Sequence, residues 1–299
     1  MNAQRLQGLI FSCSALGMAF AATTLGRFSP QSELIVLAAL IVVLGIPHGA
    51  MDTIFAQKLY GIRTPWAWIR FGLVYLLLAS LVVGLWAWVP AVFLAGFLII
   101  SIAHFSGDPA EGTPLLSRIL YGGAVLVLPN IWHQPEITAL FSKLVGTPAA
   151  GAIVPFLVGL TWPWLIGLVL AIAERWRSDK LTAFELASVG LLACVAPPLL
   201  SFTLFFCGMH SARHMIRVFI YSGRASWRFL LLASLLPLLG VACVSVAAWY
   251  FMRSTPLDER MVQIVFVGLA ALTVPHMALV ERVRLRAWLQ ESPPASKHG

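Results

Sequence analysis

The sequence predicts an all-α, polytopic integral membrane protein of about ten transmembrane helices with a metal site inside the bundle. Three observations carry this. The 299 residues are 60% hydrophobic and only 11% charged, and the mean hydropathy is +0.88. Soluble domains are about 25% charged. Burying so much apolar side chain in water is not feasible, so the solvent must be lipid. Second, apolar segments long enough to span, or nearly so, recur along the whole chain between short breakers. Third, five histidines fall at one depth once those segments are laid out in order.

The segments follow in chain order. The first, 8–26, comes after Arg5 and stops at "RFSPQS". The second, 33–51, ends in "PHGAM". A basic stretch with Lys58, Arg63 and Arg70 precedes the third, 68–89. "VPAV" separates it from the fourth, 91–106, which ends in "AHF". The fifth, 115–131, follows a polar turn. "GTPAAG" precedes the sixth, 152–173, and Arg175, Arg177 and Lys180 close it. The seventh, 181–196, and the eighth, 199–221, meet at "VAPPLLS". Read as one helix, 181–221 would be far too long for a single crossing, and two prolines mark a turn or a kink. The ninth, 229–251, and the tenth, 261–281, flank "STPLDE".

Charge tests the junction at 196–198. With ten spans, most of the 20 Lys and Arg residues lie on the side of the termini. Arg27, Lys143, Arg253 and Arg260 lie on the other, and Arg213 and Arg217 fall within the eighth segment. Merging the seventh and eighth segments would erase the bias. The positive-inside rule therefore favours ten spans with both termini cytoplasmic, in a cell inner membrane. Residues 1–25 also have the shape of a signal peptide, with a basic start, an apolar core and "AFAAT". The loop charges do not decide whether that segment is kept. Residues 1–289 read as one transmembrane domain, and 290–299, "QESPPASKHG", as a disordered tail.

The net charge of +8 comes from short clusters between apolar segments and forms no continuous basic face, which argues against nucleic acid. Cys13, Cys194, Cys207 and Cys243 show no CxxC spacing, so neither a disulfide framework nor a thiolate metal site is expected. P-loop and GxGxxG fingerprints are absent as well.

Ionisable groups inside apolar segments are costly and point to function. His48 ends the second segment, His104 ends the fourth, His210 and His214 lie in the cytoplasmic half of the eighth, and His276 lies near the end of the tenth. These four segments run in one direction, so the five imidazoles share a depth. His133 belongs to the opposite face and reads as an interfacial residue. "HSARH" places His210 and His214 at i, i+4, about 40° apart on a helix, where two imidazoles can share a metal. "HGAMD" and "HFSGD" set Asp52 and Asp108 at the same spacing from His48 and His104. An Asp one turn away can accept the second ring N–H of a ligating His. Glu111 is close enough in sequence to join such an outer layer. Arg213 is expected to face a carboxylate near the site, and Arg217 to reach the cytoplasmic surface.

Neutral imidazole suits Zn, Cu, Fe and Ni. Four of them in a closed tetrahedral zinc site leave no open position, whereas four around six-coordinate iron(II) leave two. HExxH is absent, and too few histidines remain for the boxes of a di-iron hydroxylase. Phe105, Phe205, Phe206, Met209 and Met277 are candidates to line an apolar tunnel for a hydrocarbon that enters from the bilayer.

"GIPHGAMD", "AHFSGD", "HSARH" and "TVPHM", in this order, resemble the bacterioopsin-related-protein-like family of prokaryotic membrane β-carotene dioxygenases. The resemblance runs from about residue 44 to residue 280. It implies a membrane enzyme that uses Fe(2+) and O₂ to cleave β-carotene at its central double bond, giving two all-trans-retinal. It implies His48, His104, His210 and His214 as iron ligands. The residue pattern itself puts Asp52, Asp108 and Arg213 in support, and His276, which also matches a family motif, is left as either a ligand or a support. It also implies a functional link to a microbial rhodopsin that uses the retinal. Two other readings fit intramembrane His and Asp residues: a proton or ion transporter, and a carotenoid oxidase or binding protein that does not cleave.

Overall fold

The computed structural model describes residues 2–24, 29–45, 47–223 and 226–291, with the backbone alone for Pro30, His48, Trp227 and 283–291. Among these residues every regular element is helical. The order is α1 (Ala3–Thr24), α2 (Pro30–Leu40), a π-helical stretch (Ile41–Gly45), α3 (Pro47–Ala50), α4 (Asp52–Tyr60), α5 (Pro65–Trp88), α6 (Pro90–Phe105), α7 (Leu115–Val127), α8 (Asn130–Val145), α9 (Thr147–Ser178), α10 (Lys180–Val195), α11 (Pro198–Leu204), a second π-helical stretch (Phe205–Ser211), α12 (Ala212–Tyr221), α13 (Trp227–Phe251) and α14 (Leu257–Glu291).

Helix starts follow local chemistry. Thr64 caps α5 by accepting from the Ala67 N–H, and Pro65 occupies the first turn, where its missing N–H costs nothing. Asp179 caps α10 through the Thr182 N–H. Gly61 ends α4 at φ +59°, a left-handed conformation that suits glycine.

Helices α1, α5, α9, α13 and α14 are each long and apolar enough to cross a membrane, and α7 with α8 forms a sixth apolar unit bent by 62°. Helix α5 buries none of its residues, and Leu73, Leu76, Leu77 and Leu81 are all exposed on it. A helix that is apolar and outward-facing has lipid as its natural solvent. The chain is thus an all-helical protein with the surface of a membrane protein.

Several segments that read as single spans are broken. The second divides into α2, a π-helical stretch and α3, and the eighth into α11, a π-helical stretch and α12. Helix α8 is a correction to the sequence reading, which left 132–151 without a helix. The polar "HQPE" and Pro135 hide it, and His133 itself is non-helical at φ −124°, ψ 25°. The last helix continues through Glu291. The remainder of the expected disordered tail, 292–299, lies outside the described residues.

The junction at "APP" is a true break. Ala196 is extended at φ −81°, ψ 152°, and beyond it Glu185 bonds Arg213, 28 residues further along. One continuous helix would hold residues so spaced about 42 Å apart. The chain therefore doubles back between α10 and α11. Helix α1 packs on α10 along the small buried residues Gly8, Ser12, Ala15 and Ala19, which allow close helix approach. Two apolar clusters result: a large one around Phe93, Phe105, Tyr121, Leu186 and Phe205, and a smaller one around Met51, Phe55, Val218 and Leu279.

Candidate metal centre

The seam between these clusters holds the histidines. His104 lies in the last turn of α6. His210 lies in the second π-helical stretch, and His214 follows on α12. His276 comes one residue after Pro275 in α14. Ring centres stand 4.4 Å apart for His104 and His210, 5.1 Å for His104 and His276, and 4.9 Å for His214 and His276. Imidazoles that share one metal, with each nitrogen at about 2.1 Å, place their ring centres roughly 4.5–5.5 Å apart. The ring spacing and the donor chemistry fit a shared cation. As they stand, no group of three or more His, Cys, Asp or Glu among the described residues is placed to hold a metal ion.

The fifth histidine, His48, belongs to α3, which packs against α12 and α14. Its side chain lies outside the described residues. His133 is elsewhere, as expected: its ring bonds Glu136 and the Val195 carbonyl at the end of α10.

Both aspartates are buried, and each bonds a histidine on a distant element. His210 Nδ1 lies 2.9 Å from Asp108 Oδ2. His276 Nδ1 lies 2.6 Å from Asp52 Oδ1. The reason is local. Helix α6 ends at Phe105, and the Asp108 N–H turns back onto the Phe105 carbonyl at 3.0 Å, so Asp108 is not on the helix of His104. Asp52 opens α4 beyond the end of α3, so it does not share a helix with His48. At the first turn of α4 its charge also meets the positive end of the helix dipole. With Nδ1–H donated to a carboxylate, Nε2 of each ring is left as the nitrogen that a metal would use.

Arg213 finds its carboxylate in Glu185, with bonds of 2.8 and 3.0 Å, and donates to the Asp108 carbonyl at 2.9 Å. Arg217, expected to reach the surface, also donates to that carbonyl, at 3.0 Å. Two arginines thus pin the turn that carries Asp108. Glu111 is exposed and does not join the histidines. It lines a polar cavity of about 300 Å³ together with Asp108, Glu185, Arg213 and Arg5.

Aromatic side chains wall the histidines. Phe206 is stacked on His210 with ring centres 5.8 Å apart. Phe105 meets His210 at 4.9 Å and Phe205 at 5.2 Å. Phe105, Phe205, Phe206 and Met209 are all buried, while Met277 is half-buried. The two π-helical stretches touch here: a Cβ on Gly45 would lie 2.3 Å from Phe206 Cε1, so any side chain there would have to displace the Phe206 ring. Stretches of this kind recur at functional sites.

Sequence reasoning missed three contributors. Tyr75 donates to Asp52 Oδ2 at 3.0 Å, fixing the carboxylate that holds His276. Phe55 meets His214 at 5.7 Å from the other cluster. Glu185 carried a legible signal, an acidic residue inside an apolar segment; Tyr75 and Phe55 carried none.

A family model described as Beta-carotene 15,15'-dioxygenase matches residues 39–283. A Beta-carotene 15,15'-dioxygenase from an uncultured marine bacterium, 66A03, is 34% identical over 251 residues, which cover 81% of this chain and 91% of that protein. A probable beta-carotene 15,15'-dioxygenase from Halobacterium salinarum is 25% identical over 296 residues, 84% of each chain. No solved structure matches.

Proposed function

The chain belongs to the β-carotene 15,15'-dioxygenase family, and from that premise we propose that it cleaves β-carotene at the central double bond with O₂, giving two molecules of all-trans-retinal. The reaction balances: the bond between the two central carbons is lost, and each carbon gains one oxygen atom. The observation that carries the reading is the seam of imidazoles, with two rings held by buried carboxylates, in a bundle whose exposed surface is apolar.

His48, His104, His210 and His214 are the proposed iron ligands. Bound there, iron(II) would supply the binding and activation of O₂. The protein supplies the rest. Asp108 and Asp52 fix the tautomers of His210 and His276, and Tyr75 fixes Asp52 in turn. Neutral imidazoles leave the metal's charge undiminished. Phe105, Phe205 and Phe206 keep water from the seam and offer flat apolar faces to a polyene. A hydrocarbon dissolved in the bilayer needs no polar recognition to reach them. We further assign ten membrane passes in an inner membrane with both termini cytoplasmic, on the loop charges, and a role in supplying retinal to a microbial rhodopsin.

Colour tests the activity. Cells that accumulate β-carotene should bleach when they express the protein, and retinal should appear in their extract. Cells that keep their colour while the folded protein is present in the membrane would contradict cleavage and favour a transporter or a binding protein.

A further inference from the structure

The family model begins at residue 39, yet α1 reaches the histidine seam from outside it. Gln7, half-buried on α1, donates from Nε2 to the Gly208 carbonyl at 2.8 Å and to the Met209 carbonyl at 3.3 Å. Those carbonyls belong to the π-helical stretch, in the two residues before His210. The Gln7 Oε1 accepts from Arg213 Nε at 2.9 Å. This fixes the amide's orientation, because a guanidinium offers no acceptor and a carbonyl offers no donor. Arg213 in turn holds the Asp108 carbonyl, and Asp108 holds the His210 ring. The approach is close. A Cβ on Gly8 would lie 1.8 Å from Glu185 Oε1 and 2.6 Å from Arg213 Nη2, and one on Gly208 would lie 3.3 Å from Phe11. Glycine at both places lets α1 sit against the site.

We propose that Gln7 is a positioning residue for His210. The ring is fixed from one side by Asp108 and its backbone from the other by Gln7. A π-helical turn lacks the regular bond pattern of an α-helix, so an external donor to its carbonyls sets where its side chains point. The inference rests on the reading of His210 as a metal ligand.

Cobalt(II) titration of the detergent-solubilised protein, followed by its visible ligand-field bands, tests this without turnover. Gln7→Glu keeps an acceptor for Arg213 but turns an acceptor toward the Gly208 and Met209 carbonyls. Gln7→Met removes both functions without adding charge. Both variants should bind Co(II) roughly tenfold more weakly, in the range of outer-layer substitutions at metal sites, with altered bands. If either folded variant binds Co(II) with wild-type affinity and an unchanged spectrum, the inference is overturned. Wild-type protein that takes up no Co(II) would overturn the metal reading of His210, and this inference with it.

Discussion

Alanine at His48, His104, His210 or His214 should leave the purified protein without bound iron and without detectable cleavage of β-carotene, while the protein still accumulates in the membrane. Each loss should exceed the roughly 10–100-fold that removal of a supporting hydrogen bond costs at a metal site. For His104, His210 and His214 the expectation rests on ring centres 4.4–5.1 Å apart in a set that includes His276, and for His48 on the family resemblance. Metal analysis of the four variants beside the wild type measures it. Full iron content in two of the four would break the ligand assignment. The same measurement places His276, which has a carboxylate on Nδ1 and stands between His104 and His214. An equal loss in His276→Ala makes it a fifth ligand; retained iron makes it a support.

Glu185→Leu should destabilise the protein by about 3–5 kcal/mol, the cost of leaving a buried cation without its partner. Arg213 and Glu185 are both almost fully buried, so bulk water does not make up for the lost bonds. Arg213 also holds the Asp108 turn, so the variant should loosen the seat of His210 as well. Combining Glu185→Leu with Arg213→Met should recover a large part of the loss, because neither charge of the pair is then left buried alone. Thermal unfolding in detergent compares the three. A Glu185→Leu midpoint equal to the wild type's would mean that the pair contributes nothing to the fold.

The residues that form the seam were legible because ionisable groups stand out in apolar sequence. His104, His210, His214 and His276 were assigned one depth from segment direction alone, and their rings meet. Their partners were not legible. The i, i+4 rule assumes an unbroken helix, and both HxxxD motifs cross a helix end. Asp52 meets a histidine 224 residues away, a contact set by how α4 and α14 pack. The turn at Ala196 was readable from two prolines and the loop charges, but the π-helical stretches were not, since no residue pattern demands them. Helix α8 was hidden by Pro135 and its polar neighbours. Gln7 was passed over because a polar residue near a chain start carries no signal until its partners are known.

The most direct measurement of the central claim is product analysis. Purified protein loaded with iron(II) and given O₂ and β-carotene should yield all-trans-retinal, two molecules for each β-carotene consumed, and nothing without O₂. Unchanged β-carotene, or a pair of fragments of unequal length, would contradict central cleavage by this protein.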